Sequence, residues 1–285
     1  MTPFVLPLRR SIGSANIPRN RRQMQGNSEK HDGLTNNIGP LDVVASSHVG
    51  LVREDNEDSY VYCVDDTHSN AFVAVADGIG GHESGDIASG LCMRILLISW
   101  RNTMMWRKSS TENIRDFLET QTRKSNESIY RLNKTFNVQH PMGTTLVSGV
   151  FTSDSLVVAH AGDSRCYRLR DGILECLTQD HSFVAELIKR NIISREESRN
   201  HPFAHIISRS IGTNLDFKPE INVFERKPED RYLFCSDGIN VHLEDPQIEI
   251  IINDAGNPYE AVKNLTYASL RAGGEDNITA LCVFT

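Results

Sequence analysis

No stretch of this 285-residue chain is apolar for long enough to span a bilayer, which takes about 20 residues. The longest run, Ile95-Leu96-Leu97-Ile98-Ser99-Trp100, is closed by Arg94 and Arg101 and reads as helix core. The N-terminal residues do not read as a secretory leader. In Met1-Thr2-Pro3-Phe4-Val5-Leu6-Pro7-Leu8 the basic residues follow a short apolar stretch, whereas a leader needs them before a longer one. Membrane insertion and export are therefore not expected. The six cysteines (Cys63, Cys92, Cys166, Cys176, Cys235, Cys282) lack paired C-x-x-C spacing, and Cys235 and Cys282 lie in apolar, strand-like runs. This predicts buried free thiols in a reducing cytoplasm rather than disulfides or a zinc site. A basic surplus is also absent. The formal net charge is −7, and residues 1–40 contribute +4 (six Lys/Arg against Glu29 and Asp32), which leaves −11 for residues 41–285. Nucleic acid is a poor partner for such a body.

What is present divides at about residue 40. Residues 1–40 are rich in Asn, Arg, Ser, Gly and Pro without a sustained apolar period, and read as a flexible basic arm. From residue 41 onward, strand-like runs follow at 41–47, 60–64, 71–76, 145–151, 155–159, 165–169 and 173–177, with Asp171-Gly172 as a hairpin turn between the last two. Two long helical stretches, about 83–107 and 111–136, lie between the third and fourth runs. Helical patterns recur at 183–190 and 194–199, strands at 221–224 and 231–235, and a final helix at 258–271 precedes a closing strand at 277–284. Strands grouped in this way, instead of alternating with helices, predict an α+β fold on antiparallel sheet. No internal repeat is found.

Carboxylates recur where strands end. Val75-Ala76-Asp77-Gly78, Ala161-Gly162-Asp163-Ser164, Cys235-Ser236-Asp237-Gly238 and Gly273-Gly274-Glu275-Asp276-Asn277 each place an acid beside a sharp turn. Mg²⁺ and Mn²⁺ take oxygen ligands, a few of them carboxylates, so scattered aspartates of this kind suit a divalent metal site. A single Asp-Gly after a strand is an ordinary turn. Four in one chain call for another explanation.

In order along the chain stand Gly50-Leu-Val-Arg53-Glu-Asp-Asn56-Glu57-Asp58, Asp77-Gly78-Ile-Gly-Gly81-His82-Glu-Ser-Gly85, Gly143-Thr144-Thr145, Gly162-Asp163-Ser164-Arg165, Leu177-Thr-Gln-Asp180-His181-Ser182, Ser236-Asp237-Gly238 and Asp276-Asn277-Ile278-Thr279. This ordered set resembles the bacterial members of the PPM, or PP2C-type, protein phosphatase family over residues 41–285. The resemblance implies a four-layer α-β-β-α sandwich, with two central antiparallel β-sheets flanked by helices and metals at one end. It implies two cations, Mn²⁺ or Mg²⁺, with Asp77 bridging both, Asp237 and Asp276 completing the first site, and the Gly78 carbonyl joining the second. Glu57 and Asp58 would act mainly through bound waters. Asp163, with Asp237, resembles the pair that takes a third, weaker metal, though a turn carboxylate capped by backbone is the alternative. A water shared by two cations loses its proton near neutral pH and becomes the nucleophile.

Arg53 matches the family arginine that binds substrate phosphate, which suits the fork of a guanidinium. His82 resembles the histidine that protonates the leaving oxygen, and a hydrogen-bonded loop residue is the other reading. Asp180 or Ser182 reads as the N-cap of the next helix, and His181 as part of that start. Residues of about 195–219 resemble a mobile flap beside the active site. Ile79 stands where methionine is common in the family, and Ile239-Asn240-Val241 replaces a more usual Leu-Thr start, without loss of a ligand. The implied enzyme is a cytoplasmic, monomeric protein serine/threonine phosphatase acting on phosphorylated proteins and opposing a bacterial serine/threonine kinase. A phosphoprotein-binding pseudophosphatase and a two-metal nuclease are the competing classes; the full ligand set argues against the first and the acidic body against the second.

If His82 is the acid, His82→Ala depresses hydrolysis of phosphoserine peptides far more than that of p-nitrophenyl phosphate, whose leaving group needs little protonation. Steady-state rates on the two substrates check this, and equal losses would make His82 structural.

Overall fold

The computed structural model describes residues 40–80, 84–103, 109–194, 197–198 and 201–285. The arm, apart from Pro40, lies outside them, as do His82 and half of the helix expected at 194–199. The described residues, from Pro40 onward, belong to one compact unit.

Alternation builds the layers. In a strand, successive side chains face opposite sides of the sheet, and β3 (Ala71–Ala76) is buried at all six positions. Phe72, Ala74 and Ala76 pack with residues of the helices α1 (Gly85–Thr103) and α2 (Thr111–Thr135). Ala71, Val73 and Val75 pack instead with Tyr232, Phe234, Leu281 and Val283 of the other sheet. There the pattern repeats in β11 (Arg231–Cys235) and β12 (Ile278–Phe284), whose Leu233, Cys235, Ile278, Ala280 and Cys282 meet α5 (Asp245–Asp254) and α6 (Pro258–Arg271). The result is the expected order of helix, sheet, sheet and helix.

The sheet nearer α1 and α2 runs β10 (Glu220–Glu225), β7 (Ser155–Ala161), β6 (Leu146–Phe151), β3, β2 (Ser59–Val64). Its partner runs β1 (Asp42–His48), β12, β11, β8 (Arg165–Arg170), β9 (Ile173–Cys176). A short ribbon joins β4 (Gly78–Ile79) to β5 (Gly143–Thr144). The hairpin expected at Asp171-Gly172 is present, with both residues at positive φ (52° and 76°), as a two-residue turn between twisted strands requires.

Two helices were absent from the sequence reading, and the structure decides the cap of a third. Helix α5 was not foreseen, although Glu244 and Gln247 form a capping box and a proline opens it, with Ile248 and Ile252 one turn apart on the buried side. A one-turn helix α4 (Asp237–Asn240) starts at the third acidic motif. Helix α3 (Phe183–Lys189) is capped by Ser182, whose side chain accepts from the Ala185 amide, and not by Asp180, which pairs with Arg165. The cysteines are unpaired; Cys92, Cys166, Cys235 and Cys282 are buried, but Cys176 is exposed and Cys63 only partly covered.

Asn133, in the last turn of α2, ties that helix to Met142 before β5 and to Gly212. Its amide donates to the carbonyls of Met142 (2.7 Å) and Gly212 (3.0 Å), and its oxygen accepts from the Met142 amide (2.9 Å), all in buried surroundings. Asn133→Ala strands three backbone groups that each cost about 1–3 kcal/mol when buried without a partner. Urea denaturation is expected to show a loss of about 3 kcal/mol; a loss well under 1 kcal/mol would mean that these groups find other partners.

Candidate active site

Antiparallel register decides where the acids meet. Ser59 at the start of β2 pairs with Ala76 at the end of β3, and Leu146 at the start of β6 pairs with Ala161 at the end of β7. Asp58, Asp77 and Asp163 thus leave the first sheet at one end. In the second sheet Cys235, at the end of β11, pairs with Ala280 near the start of β12 and with Arg165 at the start of β8. Asp237, Asp276 and the Asp163 turn follow to that same end. The turn at Gly162–Ser164 crosses from one sheet to the other, so the two groups of acids converge.

Each acid is held by its backbone or by neighbouring hydroxyls. The Asp77 amide donates to Thr145 Oγ1 (2.9 Å), and its carbonyl accepts from the Thr145 amide (2.8 Å) and Thr144 Oγ1 (2.9 Å). Thr145 Oγ1 also meets Ser164 Oγ at 2.7 Å, which links the Asp77 strand end to the Asp163 turn. Asp58 Oδ2 accepts from Ser236 Oγ (2.7 Å), and Ser236 Oγ accepts from the Thr279 amide (3.0 Å). Glu57 accepts from the Gly85 amide through Oε1 (3.2 Å), and its carbonyl takes the Gly78 amide (3.2 Å) and Ser89 Oγ (2.6 Å). The approach is so close that a Cβ on Gly78 would lie 2.3 Å from the Gly85 carbonyl oxygen. Only glycine fits there.

Asn277 holds the β1–β2 loop to the start of β12. Its side-chain oxygen accepts from the Glu57 amide (2.8 Å), and its nitrogen donates to the carbonyls of Val49 and Asp55 (2.9 Å each). Arg53 in that loop donates through Nη2 to Asp276 Oδ2 at 2.9 Å while remaining half exposed. The roles of Asn277, Ser236, Thr145 and Ser164 were not drawn from the sequence, although Asn277, Ser236 and Ser164 each stand next to an acid. A short polar side chain beside a functional carboxylate is the signal that was available.

The acids crowd one another. Burial pushes Asp237 up to about 6, Asp58 to about 7 and Asp163 to about 8, and neighbouring carboxylates add to each rise. Asp77 is driven well above the carboxylate range, first by burial and then by Asp58, Asp237, Asp163 and Asp276. Burial also raises Glu57, against the Gly85 amide. One oxygen each of Asp58, Asp163 and Asp237 is buried without a hydrogen-bond partner. Buried acceptors of this kind are costly unless a cation meets them, and an all-oxygen set suits a hard divalent ion. The residues present therefore fit the implied metals.

Behind the Asp163 turn, His160, His181 and Glu220 bring ligand-type atoms within 4.8 Å of one another. The two rings are stacked (4.6 Å between centroids, 4° between planes). His181 Nδ1 accepts from the Gly162 amide (3.2 Å), its Nε2 faces Glu220 Oε2 (3.3 Å), and its own amide donates to the Gly162 carbonyl (2.9 Å). Stacked rings cannot both aim lone pairs at one ion, so the group positions Gly162 rather than binding metal. The segment expected as a flap is tied down over its second half. The Ser208 amide donates to the His181 carbonyl, Ile211 pairs with Thr144, and Asn126 holds Gly212 and Asn214.

Residues 47–275 match the family described as protein phosphatase 2C. The chain is 33% identical over 234 residues to the serine/threonine phosphatase stp of Listeria monocytogenes, covering 82% of this chain and 92% of that one. Among solved structures, the serine/threonine phosphatase of S. agalactiae superposes with a TM-score of 0.80 at 29% identity, over 86% of this chain and 99% of that one. The catalytic domain of the serine/threonine protein phosphatase PstP, in complex with two manganese ions, gives 0.74 at 33% identity, over 86% and 97%. No helix among the described residues is long and apolar enough to cross a membrane.

The raised carboxylates fix how stability varies with pH. Their folded pKa values exceed those of the unfolded chain, near 4, so the folded state holds protons that the unfolded chain has released, and stability falls as pH rises toward about 8. Burial, reinforced by His160, lowers His181 to about 4, which acts in the opposite sense but is complete by about pH 6.5. Without metal, the melting temperature is therefore expected to drop between about pH 6.5 and pH 8, and added Mn²⁺ to cancel the drop. Thermal melts in chelator and in Mn²⁺ test this; a metal-free melting temperature that rises across that window would contradict it.

Proposed function

Because the chain belongs to the protein phosphatase 2C family and is a protein serine/threonine phosphatase, we propose that it removes phosphate from phosphoserine and phosphothreonine with divalent cations held at the convergent acids. The observation that carries this reading is the set of buried carboxylates from both sheets, with unpartnered oxygens on Asp58, Asp163 and Asp237, beside a half-exposed arginine. Manganese is the ion of the PstP complex, which supports Mn²⁺, with Mg²⁺ as the alternative.

In this proposal Asp77, Asp237, Asp276 and the Gly78 carbonyl hold two cations, Asp163 with Asp237 holds a weaker third, and Glu57 and Asp58 act through waters. Cations bound there would supply the hydrolytic chemistry, activating water as the nucleophile and neutralising charge on the phosphoryl oxygens. The protein's share is orientation. Arg53, steadied by Asp276, offers the rest of its guanidinium fork to the phosphate of the substrate. Ser236 and Thr145 hold Asp58 and Asp77 at fixed angles, so that little reorganisation accompanies the reaction. His82 is the proposed donor of a proton to the departing serine or threonine oxygen. The partners are phosphorylated proteins, with the enzyme acting as a cytoplasmic monomer against a serine/threonine kinase. The basic arm, residues 1–40, contains none of the proposed ligands.

Asp237→Asn tests the site with two signs at once. Turnover on a phosphothreonine peptide in saturating Mn²⁺ is expected to fall by orders of magnitude, because charge is removed from a bound cation. The metal-free protein should melt at a higher temperature than the wild type at pH 8, because one repelling carboxylate is gone. Near-normal turnover, or a lower metal-free melting temperature, would overturn the ligand assignment.

A further inference from the structure

Leu51 and Val52, immediately before Arg53, are each 66% exposed. The loop that carries them is fixed on both sides of this exposed stretch. The Gly50 amide donates to His48 Nδ1 (2.9 Å), the Leu51 amide to the Gly274 carbonyl (2.7 Å), and Asn277 holds positions 49, 55 and 57. Gly50, at φ 87°, passes so near the 274–276 backbone that a Cβ would lie 2.3 Å from the Asp276 carbonyl oxygen. The backbone is thus set, and the two apolar side chains are presented to solvent on a rigid support next to the arginine that reaches the acid cluster. Exposed Glu54 and Asp55 follow in the same loop, and exposed Glu275 precedes the Asp276 that Arg53 binds.

We propose that this loop reads the residues flanking the phosphorylated one, favouring an apolar neighbour and disfavouring acidic ones. The inference rests on the phosphatase reading of the adjoining site. A phosphate that reaches Arg53 carries its flanking residues across positions 51 and 52, where an apolar side chain removes Leu51 and Val52 from water. An acidic neighbour instead meets Glu54, Asp55 and Glu275 and is repelled. The occupant is therefore a phosphoprotein segment with apolar residues, and without acidic ones, beside the phosphoserine or phosphothreonine.

The test uses three phosphothreonine peptides of equal length, flanked by leucine, by serine or by glutamate, with full-length enzyme in Mn²⁺. The wild type is expected to prefer the leucine peptide over the serine peptide by about 10-fold in kcat/KM, and to disfavour the glutamate peptide in a salt-dependent manner. Within the double variant Leu51→Ser/Val52→Ser, the leucine-to-serine ratio should fall to about 1 while the glutamate penalty persists. Within Glu54→Gln/Asp55→Asn the reverse holds. Reading ratios inside each variant cancels any general loss of activity or folding. Wild-type enzyme that treats leucine and serine peptides alike, or a double variant that keeps the preference, would overturn the proposal. So would a dimer in sedimentation that the double variant abolishes, since the patch would then belong to a second copy. Failure of the wild type to hydrolyse p-nitrophenyl phosphate in Mn²⁺ would instead remove the phosphatase reading, and this proposal with it.

Discussion

Several carboxylates share one buried space, and their mutual repulsion is the constraint to which the rest of the molecule answers. Burial disfavours the ionised form of Asp58, Asp77, Asp163 and Asp237, and repulsion from neighbouring carboxylates adds to the effect. A backbone free to relax would separate them. The backbone here cannot, because each acid follows or precedes a strand paired on both sides or a turn closed by hydroxyl and amide bonds. The fold thus keeps charges close in the absence of what would neutralise them, an arrangement typical of functional sites that store unfavourable electrostatics for use.

That frame is distributed rather than local. Residues 72 to 76 of β3 pack alternately on α1 and α2 and on the opposite sheet, so the segment that ends in Asp77 is gripped from two layers. The turn at Gly162–Ser164 is held from the front by Thr145 and from behind by His181. The acids therefore take their positions from the cores of both sheets, and the chemistry at the end of the sandwich depends on packing far from it.

Much of this was legible in the sequence. Strand-length apolar runs ending in Asp-Gly gave the sheets and the acids together, since a fully buried strand is continuous in apolar residues and glycine marks where it stops. Helix α5 escaped because Ile248, Ile250, Ile251 and Ile252 crowd its middle with β-branched residues, and only the caps distinguish it from a strand. The choice between Asp180 and Ser182 as a cap stayed open for a related reason. An acid just before a helix has the signature of a cap whether or not a distant arginine claims it, and Arg165 lies across a hairpin. The tasks of Asn277 and Thr145 were hidden because each serves backbone groups far away in the chain, at positions that no local spacing reveals.

The clamp made by Asn277 has an evolutionary side. One amide side chain holds the loop at positions 49, 55 and 57, the His48 ring holds it at 50 and a main-chain bond at 51, so the path of the backbone owes little to the side chains from 51 to 55. Positions 51, 52, 54 and 55 are exposed and carry none of these bonds through their side chains. They can be exchanged without disturbing either the sheet ends or the acids. Natural variation in the taste of this enzyme for its substrates has, at these four positions, a place to accumulate while catalysis stays as it is.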